Sequence, residues 1–391
     1  MKRKLIYTLT IALASQSFAW AQEADSLIQL VLENNRTLKV AREASRTAIL
    51  RAGTGNTPPD PEFELGYLFG NPGQIGNKVN IVVKQQVDFP TAYVHRSKLK
   101  EIRRSSAELE YLQVRQEVLS ESRQLWIRQV HLNQLSRLLG QRLQQAETIK
   151  SDISEMINAG EVGLLEYNQA NLMVASVESE FEEVQSELEN NYLALLEMAG
   201  GQEVEVRDTL FPVPVLILAD SLLADYRMGP GAQLHQQNRY EKEREKSLAL
   251  SEHLPKISAG YFSEAIPTEA FRGFTVGVSV PLWENTKTVK TAQSALIQSE
   301  AKLDLYLYEQ ERVLLQKLNK LGNLHRRVEK LEEALGSTNS LSLLTSSMEN
   351  GEISLSEYFY NSDFYFRNQQ LLLRYKMELL ALEADLLKIY Y

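Results

Sequence analysis

Four short segments of this sequence occur twice, in the same order and at nearly the same spacing. That duplication limits the possible folds more than any other feature. Ala24-Asp25-Ser26-Leu27 returns as Ala219-Asp220-Ser221-Leu222. Pro61-x-Phe63-x-Leu65-Gly66-Tyr67 returns as Pro255-x-Ile257-x-Ala259-Gly260-Tyr261. Val87-Asp88-Phe89-Pro90 matches Val278-Ser279-Val280-Pro281. Asn158-Ala159-Gly160-Glu161-Val162 with Leu165-Glu166-Tyr167 matches Glu349-Asn350-Gly351-Glu352-Ile353 with Ser356-Glu357-Tyr358. The offsets are 195, 194, 191 and 191 residues. Chance does not produce four collinear matches at so constant an offset, so the sequence reads as two copies of one structural unit.

Each half has the same predicted order. A helix comes first, over about Asp25–Ala52 and Asp220–Glu252. Two strands follow. Phe63, Leu65, Tyr67 and Phe69 alternate with polar or small residues, and so do Val79, Ile81, Val83, Val87 and Phe89. The second half repeats this with Ile257, Ala259 and Tyr261, then Phe274, Val276, Val278 and Val280. A period of two is the signature of a strand with one apolar face. Gly70-Asn71-Pro72-Gly73 suits the loop of a hairpin.

A very long helix comes next. Thr91–Ile157 has no proline and one glycine, Gly140; Leu282–Met348 has no proline and two, Gly322 and Gly336. Leu132, Leu135, Leu139, Ala146, Ile149, Ile153 and Met156 recur at helical spacing, as do Leu318, Leu321, Leu324, Val328, Leu331 and Leu335. These are narrow coiled-coil-like seams, interrupted by polar positions such as Arg142. At ~1.5 Å per residue such a helix reaches roughly 100 Å, a length a compact domain does not need. Each ends at a glycine turn, Gly160 or Gly351, and a returning helix follows over about Leu164–Ala199 or Leu355–Ile389.

The start of the chain reads as an address. Met1-Lys2-Arg3-Lys4 is basic, Leu5–Phe18 is mostly apolar, and Ala19-Trp20-Ala21 resembles a cleavage site. The expected organisation is a signal peptide over 1–21, a first copy over 22–199, a linking segment over 200–218 and a second copy over 219–391. Nothing later has eighteen consecutive apolar residues, so no transmembrane helix is expected.

Composition removes several functions. The absence of cysteine excludes disulfides, thiolate metal sites and a cysteine nucleophile. The five histidines are scattered, and no pair sits at i, i+4, so no metal or other cofactor is expected. The formal charge of −9 argues against nucleic-acid binding. Among the 51 acidic residues, pairs are inevitable, but none lies in a pocket motif of the kind a glycoside hydrolase needs, so no enzyme is expected. A periplasmic coiled-coil adaptor without a pore is the alternative, though two full helix-and-strand copies argue against it.

Four strands with one apolar face cannot close a membrane barrel, which takes about eight or more. Open edges are not tolerated in lipid, so the chain is expected to oligomerise, and three copies would supply twelve strands. At this point the sequence resembles the TolC-type outer-membrane efflux proteins along essentially the whole mature chain. The two glycine turns and the prolines after the second strands, Pro90 and Pro281, carry the resemblance. It implies a mixed, mainly α fold, in which a homotrimer builds a twelve-stranded outer-membrane β-barrel continuing into a helical tunnel across the periplasm. It implies a passive exit duct for tripartite efflux or type I secretion, with a periplasmic adaptor (membrane fusion protein), an inner-membrane pump and outer-membrane lipid as partners.

The resemblance also assigns residues. Gly160, Glu161, Gly351 and Glu352 fall at the tips where an adaptor docks. Glu166 and Glu357 stand where the family usually carries aspartate, and three copies would bring them near the axis as acidic rings at the aperture; the family's constriction aspartates match Glu357, and the second acidic position falls on Tyr360, with Asp363 nearby but not aligned. Pro90 and Pro281 would redirect the chain from barrel to tunnel. Each has a plain structural role too. Glycine ends helices in the left-handed conformation, acids favour helix N-termini, and proline starts helices. The aromatic run from Tyr358 to Phe366 is expected to be helix packing.

Overall fold

A computed structural model describes residues 24–71, 76–160, 162–206, 210–215, 217–281, 283, 286–336 and 340–391. The expected signal peptide, Pro72-Gly73 of the hairpin loop, Glu161 and Leu282 lie outside the described residues. The chain is mainly helical with one four-stranded sheet. The first half runs α1 (24–34), α2 (Arg36–Ala52), β1 (Glu62–Leu68), β2 (Lys78–Val87), α3 (Pro90–Ala159) and α4 (Leu164–Met198). The second runs α5 (Ala219–Arg227), α6 (Pro230–Ser251), β3 (Lys256–Ile266), β4 (Glu269–Ser279), α7 (Thr288–Gly336), α8 (Ser340–Glu349) and α9 (Leu355–Leu386).

Two expectations change. The single first helix of each half is a pair. In the first half the buried Asn35 divides it: its Oδ1 accepts the Leu38 N–H at 3.0 Å, as an N-cap does. Its Nδ2 donates to the Met198 carbonyl at 2.9 Å, tying the division to the end of α4. In the second half Pro230, which has no N–H to give, takes the first turn of α6 behind Gly229. The second long helix starts at Thr288 rather than Leu282, and it ends at Gly336 rather than running on to Met348, with the separate α8 following from Ser340. Lys287 adopts φ 73°, outside the helical region, and the Thr286 N–H closes a turn on the Trp283 carbonyl. By contrast, α3 runs 70 residues, close to its predicted bounds.

The described chain forms two compact units. One comprises Ala41–Gln113 and Tyr226–Gln310 and contains the whole sheet. The strand order is β1-β2-β3-β4, every pair antiparallel, so the central pairing of β2 with β3 joins the two halves. The register puts Phe63, Leu65 and Tyr67 across from Val83, Ile81 and Val79; Val83 lies across from Tyr261, and Tyr261 across from Phe274. These residues share one face with Val276 and Val278, and much of that face is exposed. The other face carries Glu62, Glu64, Lys84, Asn80, Lys78 and Glu264, with an ion pair between Lys78 and Glu264. Val82, which broke the predicted alternation, sits on this more polar face, as do Leu68, Phe262, Ile266 and Phe271. All four strand glycines (Gly66, Gly260, Gly273, Gly277) also stand there. A Cβ on Gly260 would come within 2.8 Å of the Val83 carbonyl oxygen, so no side chain fits. In this unit the phenol of Tyr306 fills the space a Cβ on Gly231 would need, and the Tyr306 ring stacks on His235 at 4.4 Å.

The other unit comprises residues up to Val40, Val114–Asp225 and Glu311–Tyr391. Leu27, Val31, Leu38, Trp126, Val130, Leu195 and Leu380 form its main core, each such side chain stabilising the fold by about 2 kcal/mol. A second cluster, Leu132, Leu139 and Val184, occupies the predicted seam. A strap from the linking segment crosses these helices. Asn133 donates to the Val206 carbonyl, the Phe211 ring stacks on His131, and the Val215 N–H reaches Glu383. Burial holds the His131 imidazole down at about 4 and pushes the Glu383 carboxyl up to about 7.

Candidate functional site at the glycine turns

Both turns lie in the second unit, and each is set by one glycine. Gly160 (φ 77°) and Gly351 (φ 71°) are left-handed. A Cβ on either would meet nothing within 4 Å, so the glycine is there for its backbone conformation, not for room. At the second turn the Gly351 N–H bonds the Met348 carbonyl and the Glu352 N–H bonds the Ser347 carbonyl, the paired arrangement that satisfies the last carbonyls of a helix. At the first turn the Gly160 N–H bonds the Ile157 carbonyl in the same way.

The two turns share one apolar floor. Ile149 and Ile153 of α3, Ala170 of α4 and Tyr358 of α9 are buried together, with Val162 and Ile353 packed against them. The Tyr358 hydroxyl accepts a bond from Gln145 at 2.7 Å. Ser356 donates to Gln169 at 3.0 Å, joining α9 to α4. The predicted packing role of the aromatic run therefore holds for Tyr358 and Phe366, which are buried, but not for Tyr360 and Phe364, which are exposed.

The acidic residues separate into distinct situations. Glu357 belongs to a complete capping box: its Oε2 accepts from the Ser354 N–H and hydroxyl, each at 2.9 Å, and its own N–H bonds the Ser354 hydroxyl. Those bonds, the backbone one first, hold its carboxyl below the usual range. Glu166 lies in the first turn of α4, behind Gly163, which has no side chain to cap with; its carboxylate folds back over that glycine. Glu352 accepts from the Ser347 hydroxyl at 3.0 Å. Asp363 faces Arg142 at 2.7 Å and Arg367 at 2.7 Å.

Arg142 is the residue whose importance the sequence conceals. It appeared only as a polar break in an apolar seam. Its side chain is 6% exposed, it pairs with Asp363 of α9 and Glu180 of α4, and it lies over the Phe366 ring. One long side chain of α3 thus holds both returning helices. The signal was present, since a buried arginine in a leucine seam demands acids opposite it, but one sequence does not say which acids.

The prolines differ as well. Pro90 is the first residue of α3, and next to it Arg96 pairs with Asp88 at 2.8 Å. Pro281 stands seven residues ahead of Thr288, where α7 begins.

No family model matches this sequence, and no curated protein matches it. Solved structures do match. The outer membrane protein VceC from Vibrio cholerae superposes with a TM-score of 0.79 at 14% identity, covering 95% of this chain and 97% of that one. CusC, whose crystal structures concern folding and transmembrane channel formation, gives 0.78 at 16% identity over 94% and 92%. The Campylobacter jejuni CmeC outer membrane channel gives 0.76 at 15% identity over 95% and 87%. The chain has the fold of these outer-membrane channels. The mainly helical chain with its four-stranded sheet agrees with the expected fold class. Among the described residues, no helix is long and apolar enough to cross a membrane.

Proposed function

We propose that this chain is the outer-membrane exit duct of a tripartite efflux or type I secretion system, a passive conduit reaching into the periplasm. The sheet carries the reading. It exposes an apolar face broad enough to meet lipid, crowds its glycines on the polar face, and has no partner on the outer edge of β1 or β4 among the described residues. An unpaired edge is not stable in a bilayer, so the sheet must be completed by other copies. Three copies close a barrel of twelve strands with the polar face inward. The missing side chains of Gly66, Gly260, Gly273 and Gly277 favour curvature towards that face and leave room inside the barrel.

The turns at Gly160–Glu161 and Gly351–Glu352 then form the periplasmic end, where an adaptor linked to an inner-membrane pump docks. Pro90 and Pro281 redirect the chain between barrel and tunnel. Glu166 and Glu357 are brought near the threefold axis. Asp363 acts at the aperture through Arg142: this ion pair fastens α9 to α3, so opening requires that it break.

The test is single-channel recording of the purified chain in a planar bilayer. Small cation-selective openings are expected from the native protein. Arg142→Met should enlarge them, provided circular dichroism and trimer content are unchanged. A soluble monomer that never inserts would overturn the duct reading. Unchanged openings in a well-folded Arg142→Met trimer would remove the latch.

A further inference from the structure

The apolar strip along β4 does not stop where the strand stops. Phe274, Val276, Val278 and Val280 are exposed, and Trp283 beyond them is 82% exposed. Among the described residues the Trp283 indole makes no ring contact and no hydrogen bond. A bare indole is costly in water, whereas its apolar body and N–H donor suit the boundary between hydrocarbon and headgroups.

Two lysines follow, each against a local rule. Lys287 takes the left-handed conformation, the one non-glycine residue to do so among the described residues. Lys290 lies in the first turn of α7, which holds no acid, although the positive end of a helix disfavours cations. Both are exposed, and neither makes an ion pair among the described residues. Glu284 lies outside the described residues; among the described ones nothing compensates either broken rule, which points to compensation from outside the chain. The first half shows what a self-contained junction looks like. Counting from Pro90 as from Pro281, Ala92 takes the place of Trp283, and it is buried. There Arg96 is neutralised by Asp88 and Glu252 and covers the Tyr93 ring.

The position along the strand agrees. Arg272, near the β3–β4 turn, is the charged residue on the apolar face at the far end. If fully extended, the chain from Arg272 to Trp283 spans at most roughly 36 Å, or roughly 26 Å across a bilayer at a tilt of ~45°, against an apolar band ~25 Å tall.

We infer that Trp283, Lys287 and Lys290 form an interfacial anchor that seats in the phosphate-bearing headgroups of phospholipid, in the leaflet nearest the helices. This rests on the duct reading, because it assumes the apolar face meets lipid.

The chain makes the test clean. It has no cysteine, and once the leader containing Trp20 is removed, Trp126, at 1% exposure, is its only other tryptophan. The mature trimer is reconstituted in phosphatidylcholine vesicles with and without phosphatidylglycerol, carrying bromines either near the headgroup or deep in the acyl chain. Trp283→Phe supplies the Trp126 background. Val276→Cys labelled with an environment-sensitive dye reports the sheet's own insertion. Shallow bromines should quench Trp283 more than deep ones, and the dye at position 276 should show the reverse. Replacing both lysines with glutamine should lower the docked-to-undocked ratio by about fivefold per lysine, only with phosphatidylglycerol present. Trp283 untouched at both depths while the dye is quenched overturns the anchor and leaves the duct standing. Stronger deep than shallow quenching of Trp283, or indifference to the lysines, overturns the headgroup assignment. A dye quenched at neither depth overturns the duct reading itself.

Discussion

In both turns a left-handed glycine stands four residues ahead of the returning helix, yet the returning helices start differently. In the second half Ser354 caps α9, and Glu357 completes the box. In the first half Gly163 stands in the equivalent place, and α4 starts without a side-chain cap. Glu166 and Glu357 occupy matching sequence positions but are not chemically equivalent. One is engaged by two donors, while the other only folds over a glycine. The left-handed glycine is common to both turns, and the capping chemistry is not.

The largest effect should come from Asp363, which shares α9 with the capping Glu357. Asp363→Leu leaves the buried Arg142 guanidinium with only Glu180, 3.5 Å away, and should cost about 3 kcal/mol. Glu357→Gln keeps a side chain that can still accept from Ser354 and should cost under about 1 kcal/mol. Hydrogen exchange at the start of α9 measures both; equal losses would erase the distinction.

The second effect concerns one buried titratable group from each half. His131 belongs to the first half, and its folded value of about 4 lies below the usual 6.5. Its contribution is complete above pH 6.5 and is lost as pH falls towards 4. Glu383 belongs to the second half, and its folded value of about 7 lies above the usual 4.5. Its contribution is complete below pH 4.5 and is lost as pH rises through 7. The slopes oppose each other, so these two contributions should nearly cancel between pH 4.5 and 6.5. Glu383→Gln should expose an acid-side loss approaching ~1.4 kcal/mol per pH unit, and His131→Leu an alkaline-side loss of similar slope. Thermal unfolding across this range checks both.

The smallest effect tests the caps directly. Ser354→Ala should cost about 1 kcal/mol, whereas Gly163→Ser should gain a few tenths, since glycine is already a fair cap. For the gain to appear, the Glu166 carboxylate must swing off the glycine, because Oε2 lies 2.9 Å from the position of the new Cβ. Melting temperatures of the two variants rank them.

Much of this was legible in the sequence because periodicity and punctuation are local. Alternation located the apolar face of the sheet, and Gly160 and Gly351 marked the turns. The divided first helix was less legible. Asn35 divides it through a bond to Met198, 163 residues away, which no local pattern reveals. The late start of α7 escaped because Lys287 is left-handed, and lysine does not announce that conformation. Asp363 was noticed for its charge, but its partner Arg142 lies 221 residues back on another helix. Acidic residues are easy to find in one sequence; who faces them is a property of packing.

The central pairing of the sheet has a consequence for the order in which the protein can be made. Val87 pairs with Ile257, and Val79 with Ala265, so the two hairpins meet only after the intervening chain exists. At ~5–20 residues per second, the ribosome needs roughly ten to thirty seconds to supply it. During that interval β1 and β2 stand as a lone hairpin with an apolar face and open edges, a form that is marginal in water and ready to pair with any other chain. A message truncated after α4 would leave that hairpin permanently unmatched.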